Sequence, residues 1–221
     1  MQEYLKKLFD FNKTIASSYI LKYDYPEVLN HIGEIIFEIS KTLNNDYQEI
    51  SPNVFVHKSV KIDKSATIIG PCLVLENSEI RVNAYIRGNV IIGKNCVIGN
   101  STELKNAILF DEVKVPHFNY IGDSILGYKV HFGAGSLTSN VKSDESNVTL
   151  TINSEKIKTN RKKIGALVGD KVEIGCNAVL TPGSIIGKNT TIYPLVMVRG
   201  EIPENKIVKS TTMVDKRWKY I

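Results

Sequence analysis

Residues 90–99 read Val-Ile-Ile-Gly-Lys-Asn-Cys-Val-Ile-Gly, and this stretch contains the pattern that decides the fold. An aliphatic residue followed by glycine occurs twice, six residues apart, at Ile92 and Ile98. A period of six matches neither the 3.6-residue period of a helix nor the two-residue period of a strand. Stepping by six in both directions gives eleven apolar positions in succession, which are Ile50, Val56, Ile62, Ile68, Val74, Ile80, Ile86, Ile92, Ile98, Leu104 and Phe110.

The same step returns further along the chain. The second series consists of Val168, Ile174, Leu180, Ile186, Ile192 and Val198. Two positions before most members of both series lies a smaller residue, such as Ala84, Cys96 or Ala178. This pattern predicts a solenoid of about seven coils, in which three short strands make one coil and pair with neighbouring coils about 4.8 Å away. Glycines after the aliphatic position, such as Gly93 and Gly175, are expected to use positive φ angles at the corners.

The six-residue pattern resembles that of the hexapeptide-repeat proteins, which form left-handed parallel β-helices. The resemblance implies that handedness, whereas the general crossover rule favours right-handed connections. A β-sandwich with accidental spacing is the alternative fold, and the length of the first apolar series argues against it. We therefore expect an all-β, left-handed parallel β-helix.

The segments outside the repeat predict three further parts. Residues 1–48 show helical spacing of apolar residues and are expected to cap the exposed first coil or to bind a partner. The β-helix is expected over residues 49–202, interrupted by a hairpin inserted at 141–162 that projects from a corner and covers a groove or is inert. Residues 203–221 form a C-terminal tail, in which Trp218 could pack on a neighbouring subunit.

Composition excludes several classes of protein. Apolar residues make up 43% of the chain and charged residues 23%, which is typical of a folded globular protein. No apolar run reaches the roughly 18 residues of a membrane span, and the first residues lack a signal-peptide pattern. The net charge of +5 is too small and too evenly spread to predict nucleic-acid binding. Three cysteines without a CxxC motif predict neither disulfides nor zinc binding, and a cytoplasmic location fits best.

The apolar repeat loses its register after Phe110. Pro116 occupies the next expected position, and apolar residues resume in a shifted phase at Tyr120. Residues 115–123 are therefore expected to bulge, and they contain His117. An imidazole suits proton abstraction near neutral pH, although a histidine in a loop is by itself ordinary surface chemistry.

Three stretches carry a more specific resemblance. They are 99–105, Gly-Asn-Ser-Thr-Glu-Leu-Lys; 117–123, His-Phe-Asn-Tyr-Ile-Gly-Asp; and 133–140, Gly-Ala-Gly-Ser-Leu-Thr-Ser-Asn. Together they resemble the acetyltransferase domain of the bifunctional N-acetylglucosamine-1-phosphate uridyltransferase/glucosamine-1-phosphate N-acetyltransferase. The glycine-rich start of the uridyltransferase domain does not occur in this sequence, so nucleotidyl transfer is not expected.

The resemblance implies a role for each matching residue. His117 falls on the general base, and the backbone amide of Ala134 falls on the group that stabilises the oxyanion. Arg87 and Lys105 fall on positions that hold the sugar phosphate. The remaining sugar-contacting positions are Tyr120, Asn140 and, after the insertion, Lys163.

The sequence departs from the family at three positions. His131 replaces an asparagine that touches the substrate, and Cys176 and Pro194 replace a serine and an alanine near acetyl-CoA. The resemblance also implies a homotrimer, with acetyl-CoA lying in the groove between subunits beside Ala134, Cys176 and Pro194. These departures leave the acyl donor and the substrate open.

The expected reaction is N-acetylation of an amino-sugar 1-phosphate, most simply glucosamine 1-phosphate, by direct attack of the amine on acetyl-CoA. An idle trimeric scaffold or sugar-phosphate-binding protein of the same fold is the alternative from another class. A γ-class carbonic anhydrase also has this fold, but it needs three imidazoles around zinc. The four histidines here lack that spacing, so no metal is expected.

Overall fold

The structure, a computed structural model, describes residues 1–210 and 212–215. The N-terminal segment contains three short α-helices, α1 (Gln2–Leu8), α2 (Ser17–Tyr23) and α3 (Ile32–Ser40). Two 3₁₀ turns lie between them, at Phe11–Lys13 and Glu27–Asn30. The rest of the described chain consists of short strands joined by turns.

Parallel strands stack on three faces, and the predicted left-handed parallel β-helix is confirmed. The first face contains Val54–His57, Cys72–Val74, Val90–Ile92, 107–109, 124–126, Ala166–Val168, Ser184–Ile186 and Glu201–Ile202. The second face contains Lys61–Ile62, Glu79–Ile80, Val97–Asn100, Lys114–His117, His131–Phe132, Glu173–Ile174, Thr191–Ile192 and Lys206–Lys209. The third face contains Thr67–Ile68, Tyr85–Ile86, 103–105, 120–122, Leu137–Thr138, Val179–Leu180 and Met197–Val198.

Antiparallel strands occur at three places. Tyr47–Ser51 pairs with the first strand of the first face, and Thr212–Asp215 pairs with Lys206–Lys209. The inserted hairpin consists of Thr149–Ile152 and Glu155–Lys158. Residues 216–221, including Trp218 of the predicted tail, lie outside the described part of the chain.

The six-residue series forms the interior, as expected. Ile86, Ile92, Ile98 and Leu104 are fully buried within one apolar cluster that continues into the second series. Stacking of branched side chains in successive coils removes apolar surface from water at every level, which stabilises the coil. Ile50 is an exception, because it lies on the antiparallel strand before the first coil and is 44% exposed.

The expected bulge at residues 115–123 does not occur, and the register shift has another cause. Val115 and Ile121 point into the core and are fully buried, so this stretch is a regular part of the coil. The shift comes instead from the corner between the third and first faces, where two successive coils are one residue shorter. There the strands Glu103–Leu109 and Tyr120–Leu126 run through the corner without a break.

The shortened corner also explains why Phe110 does not lie in the interior of the solenoid. Leu109, not Phe110, occupies the interior position, and Phe110 points outward and stacks on Phe9 with ring centroids 5.1 Å apart. His117 therefore lies on an ordinary corner of the solenoid.

Positive φ angles lie at other residues than the glycines that were expected to use them. At the corners it is Asn95 and Asn177, among others, that adopt φ of 55°, a conformation asparagine tolerates well. Gly99 and Gly175 are instead places of close approach between coils. A Cβ on Gly99 would lie 1.6 Å from the carbonyl oxygen of Pro116, and one on Gly175 would lie 2.4 Å from Pro194 N.

The helical segment covers the first face instead of the end of the solenoid. The outward positions of this face are apolar in successive coils, namely Leu73, Ile91, Ile108, Ile125, Leu167 and Ile185. They pack against the buried side of α3 and against Val148 and Leu150 of the hairpin, which lies on this face and does not project. An apolar stripe of this length needs a cover, and the helices and the hairpin supply it.

Candidate functional site

Four of the residues singled out from the sequence occupy the same corner position in four consecutive coils. The N–H of Gly135 donates to the carbonyl oxygen of His117 at 3.0 Å, Asn177 N–H donates to Ala134 O at 2.9 Å, and Leu195 N–H donates to Cys176 O at 2.9 Å. Because each bond joins equivalent positions of adjacent coils, the residues stack along the axis. We call this set the His117 column; its members are His117, Ala134, Cys176 and Pro194.

Asn119 holds the backbone at His117. Its Oδ1 accepts the His117 N–H at 3.1 Å, while its Nδ2 donates to Gly133 O at 2.8 Å and to Ser136 O at 3.0 Å. The Asn119 side chain is buried, whereas the His117 side chain is exposed. In the described part of the chain, no group forms a hydrogen bond or ion pair with the His117 imidazole, so both of its nitrogens are open to a ligand.

The Ala134 amide is similarly open. Its carbonyl bonds to the next coil, but its N–H finds no acceptor among residues 1–210. Cys176, one coil further, is exposed, whereas Cys72 and Cys96 are buried. Burial raises the pKa of the Cys72 and Cys96 thiols to about 12.

A second group of polar residues lies at the opposite edge of the third face, and it contains both predicted phosphate-binding cations. Arg87 Nη1 donates to Glu103 Oε1 at 2.7 Å, and this bond raises the pKa of the guanidinium. Lys105 Nζ lies 3.5 Å from Oδ2 of the buried Asp123. Each cation therefore has a carboxylate beside it.

The predicted sugar contacts belong to the same group. Asn140 Nδ2 donates to the Tyr120 hydroxyl at 3.1 Å and to Asp123 Oδ2. Asp123 Oδ1 accepts from Asn106 Nδ2 at 2.9 Å. Burial raises the pKa of the Tyr120 hydroxyl, and the nearby carboxylates of Asp123 and Glu103 act in the same direction. We call the set Arg87, Glu103, Lys105, Tyr120, Asp123 and Asn140 the polar cluster.

Tyr25 is a buried tyrosine of the N-terminal segment. Its hydroxyl has no hydrogen-bond partner within the described residues. Burial raises its pKa; the charge of Arg161 opposes that shift, and the charge of Asp123 adds to it. Arg161, from the end of the insertion, donates to Asn30 Oδ1, so the N-terminal segment and the insertion are in contact.

Lys163 lies where the insertion returns to the coil. A backbone bridge joins it to Val141, and the neighbouring Ile164 N–H donates to Asn140 O at 3.0 Å. Its side chain is exposed.

His131 lies on the second face, away from the strand edge that holds the polar cluster. Its Nδ1 is 2.8 Å from Glu173 Oε2 on the next coil. No contact joins it to the polar cluster within the described chain, so its role as a substrate contact stays a prediction.

The other histidines have local partners. His31 lies between Glu27 and Glu34, and His57 Nδ1 is 2.8 Å from Ser59 Oγ. Among residues 1–210, no group of three or more His, Cys, Asp or Glu side chains is placed to hold a metal ion. No helix in the same range is long and apolar enough to cross a membrane.

Sequence reasoning missed Asn119 and Asp123. Asn119 carried a usable signal, since it stands in the column of small residues that contains Ala84 and Thr102. Asp123 is the last residue of the 117–123 motif, but the sequence cannot show that its carboxylate contacts Lys105, Asn106 and Asn140.

Comparison with known proteins confirms the resemblance found in the sequence. A family model described as the GMPPB C-terminal domain matches residues 68–165. The bifunctional sugar-1-phosphate nucleotidylyltransferase/acetyltransferase of Sulfurisphaera tokodaii is 35% identical over 109 residues, which cover 49% of this chain and 27% of that protein. The bifunctional protein GlmU of Methanococcus vannielii is 37% identical over 119 residues, which cover 53% of this chain and 28% of that protein.

The chain thus matches little more than a quarter of the length of these curated relatives. Among solved structures, WeeI from Acinetobacter baumannii AYE has 17% sequence identity and a TM-score of 0.40, over 70% of this chain and 56% of that one. That TM-score is too low for the likeness to support an argument about function.

Proposed function

We propose that this chain is an acetyl-CoA-dependent N-acetyltransferase that acts on an amino-sugar 1-phosphate, most simply glucosamine 1-phosphate. The observation that carries the proposal is the position of His117 one coil, or about 4.8 Å, from the free N–H of Ala134. A base and an oxyanion donor at that separation can serve the two ends of one attack on a carbonyl. The name of the Sulfurisphaera tokodaii relative supplies the acetyltransferase class.

The polar cluster suits the proposed substrate. An amino-sugar phosphate carries an anionic phosphate, and the cluster offers the cations Arg87 and Lys105, each held by a carboxylate. Arginine is well matched to phosphate because its planar fork can donate two parallel hydrogen bonds. Tyr120 and Asn140 add neutral groups for sugar hydroxyls.

In the proposed mechanism the reaction takes place at the His117 column, while the polar cluster at the opposite edge of the third face holds the sugar phosphate. His117 accepts a proton from the ammonium group, so that the neutral nitrogen attacks the thioester carbonyl supplied by acetyl-CoA. The Ala134 N–H donates to the carbonyl oxygen as negative charge develops there, which is worth about 3 kcal/mol of barrier lowering. The C–S bond then breaks, the attacking nitrogen gives up its second proton to the leaving sulfur, and the coenzyme leaves as its thiol.

Direct attack is favoured over an acyl-enzyme. Cys176 is the exposed thiol of the column, but it lies two coils from His117, about 10 Å along the axis. A nucleophile and its base need a separation of about 3 Å.

We also propose that the enzyme is a homotrimer with its sites between subunits. The third face and its corner expose large apolar side chains beside the His117 column, with Phe118 63%, Leu195 79% and Met197 59% exposed. Such a patch is typical of an interface. A neighbouring subunit would bring a second wall to the column, against which acetyl-CoA lies near Ala134, Cys176 and Pro194. The cytoplasmic location stays a prediction.

The test is a thiol-release assay with acetyl-CoA and a panel of amino-sugar 1-phosphates. We expect release of one thiol per N-acetylated sugar, fastest with glucosamine 1-phosphate. Binding of sugar phosphates without thiol release would support the idle sugar-phosphate-binding alternative. A matched incubation with UTP and N-acetylglucosamine 1-phosphate should give no pyrophosphate.

A further inference from the structure

Asn106, Asp123 and Asn140 form a ladder along the corner between the third and first faces. Asn106 and Asp123 occupy the corner position of the two shortened coils, with φ of 50° and 49°, and Asn140 follows in the next coil. Hydrogen bonds run from both asparagine amides to the carboxylate between them. The loss of one residue from two successive corners thus places a buried carboxylate between two amides.

The ladder fixes the direction of the hydrogen bonds. An ionised carboxylate only accepts, so Asn140 must turn its NH₂ toward Asp123. The same NH₂ donates to the Tyr120 hydroxyl at 3.1 Å. Asn140 Oδ1 receives no hydrogen bond from any described residue, and the Tyr120 hydroxyl donates to none.

We propose that Asp123 is a positioning residue that sets the orientation of the Asn140 amide and, through it, of the Tyr120 hydroxyl. The sugar then meets one acceptor, Asn140 Oδ1, and one donor, the Tyr120 O–H. This pair suits a sugar hydroxyl, which donates and accepts at once. The inference rests on the proposed function, because it takes Tyr120 and Asn140 as sugar contacts.

Asp123 also fixes Lys105, whose Nζ lies 3.5 Å from Oδ2. An amide in place of the carboxylate would keep the shape but could donate as well as accept. The Asn140 amide would then be free to turn over, and it would present NH₂ where the sugar needs an acceptor. Loss of affinity for the sugar phosphate, with affinity for acetyl-CoA unchanged, is the expected consequence.

The first experiment compares Asp123→Asn with Asp170→Asn. Asp170 is a matched control, since it is a buried corner carboxylate that accepts two backbone N–H bonds and lies 3.4 Å from Lys188 Nζ, on another side of the molecule. Asp123→Asn should raise KM for glucosamine 1-phosphate about 10-fold or more and change KM for acetyl-CoA by less than about twofold. Asp170→Asn should lower the melting temperature and change neither KM. Equal kinetics for the two variants would overturn the proposal.

The second experiment exchanges the two side chains. Asn140→Asp places two carboxylates together, whereas the double variant Asp123→Asn/Asn140→Asp restores an amide donor facing a carboxylate and keeps an acceptor toward the sugar. We expect the double variant to recover stability relative to the single variants but not KM, because a carboxylate at position 140 only accepts and would take the Tyr120 O–H proton that the sugar needs. Additive losses of stability would contradict the inference. If Asp123→Asn does not fold alone, folding of the double variant demonstrates the coupling.

The stability measurement separates this inference from the proposed function. The unfolding free energies of the four proteins in the exchange need no substrate. If the unfolding free energies show coupling between positions 123 and 140 but the protein acetylates no substrate, the proposed function is refuted and the role of Asp123 in the ladder is retained. Acetylation without coupling would refute the role of Asp123 alone.

Discussion

The side-chain oxygen of Asn119 accepts the backbone N–H of His117 at 3.1 Å, while its amide bonds to two carbonyls of the next coil. Asn119 therefore ties the backbone of the proposed base to the coil that supplies the proposed oxyanion donor. Its buried position means that water cannot replace these bonds at low cost.

Asn119→Ala should lower both stability and turnover. Each buried group left without a partner costs about 1–3 kcal/mol, so we expect a loss of at least about 2 kcal/mol in unfolding free energy. The released His117 backbone should lower kcat about 10-fold, since misplacement of a catalytic group is costly. Ser184→Ala is the control, because it removes a buried hydroxyl bonded to Thr181 O at 2.7 Å, far along the chain from His117. Equal kcat for both variants would separate Asn119 from catalysis.

His117→Ala should lower kcat by about 100-fold or more, the usual scale for loss of a general base. The side chain is exposed, so the melting temperature should stay within about a degree of the original. His57→Ala, which removes an imidazole that bonds to Ser59 and contacts the Tyr47 ring, should leave kcat unchanged. Full activity of His117→Ala in the thiol-release assay would remove this residue from the mechanism.

Arg87→Ala should raise KM for the sugar phosphate about 10-fold and leave KM for acetyl-CoA unchanged. Arg81→Ala is the control, because Arg81 forms an equivalent exposed ion pair with Glu79 at 3.0 Å outside the polar cluster. Neither substitution should change stability by much, since exposed ion pairs contribute about 0–1 kcal/mol. A change confined to acetyl-CoA affinity would contradict the assignment of Arg87 to phosphate.

Acetyl-CoA should protect Cys176 from alkylation by iodoacetamide. The two other cysteines are buried with pKa values near 12, so a single adduct is expected on the folded protein. Mass spectrometry of a tryptic digest would locate it, and Cys176→Ser should abolish it. An alkylation rate that saturating acetyl-CoA does not change would place the coenzyme elsewhere.

Gly99→Ala should destabilise the coil more than Gly200→Ala. A Cβ at Gly99 would collide with Pro116 O. A Cβ at Gly200 would lie no closer than 3.9 Å to the atoms around it, so the cost there comes from the positive φ of 75°. A positive φ costs an alanine about 1–2 kcal/mol. Thermal unfolding of both variants measures the difference, and a larger loss at Gly200 would refute close approach as the reason for glycine at Gly99.

The six-residue period was sufficient to predict the β-helix. Each strand directs a branched side chain into the interior, and the sequence therefore shows an apolar residue at every sixth position. The outward-facing apolar stripe that includes Leu73, Ile91 and Ile108 is equally regular. Its residues recur once per coil, so the pattern is recognised only when every third strand is compared. For that reason the helices were expected at the end of the solenoid, whereas they cover its first face. The bulge at His117 was inferred from a real shift in phase, but the shift arises at Asn106 and Asp123.

The predicted site residues divide in the same way. Arg87, Lys105, Tyr120 and Asn140 come together in one polar cluster, and His117 shares a column with Ala134. The partners that orient them, Asn119 and Asp123, depend on which residues of adjacent coils face each other. That alignment follows from the number of residues in each corner, which an apolar period alone does not give.

The path of the N-terminal segment has a consequence for how the chain matures on the ribosome. The Tyr4 hydroxyl donates to Glu201, and the Asp10 N–H donates to Asp170 at 2.7 Å. These residues of the helical segment are synthesised before the coils, so they find these contacts only after residues 170–201 have been made. Because such distant pairings form slowly, we expect α1 to dock only after the last coils have formed, and the apolar positions of the first face that it covers to stay exposed to water until then.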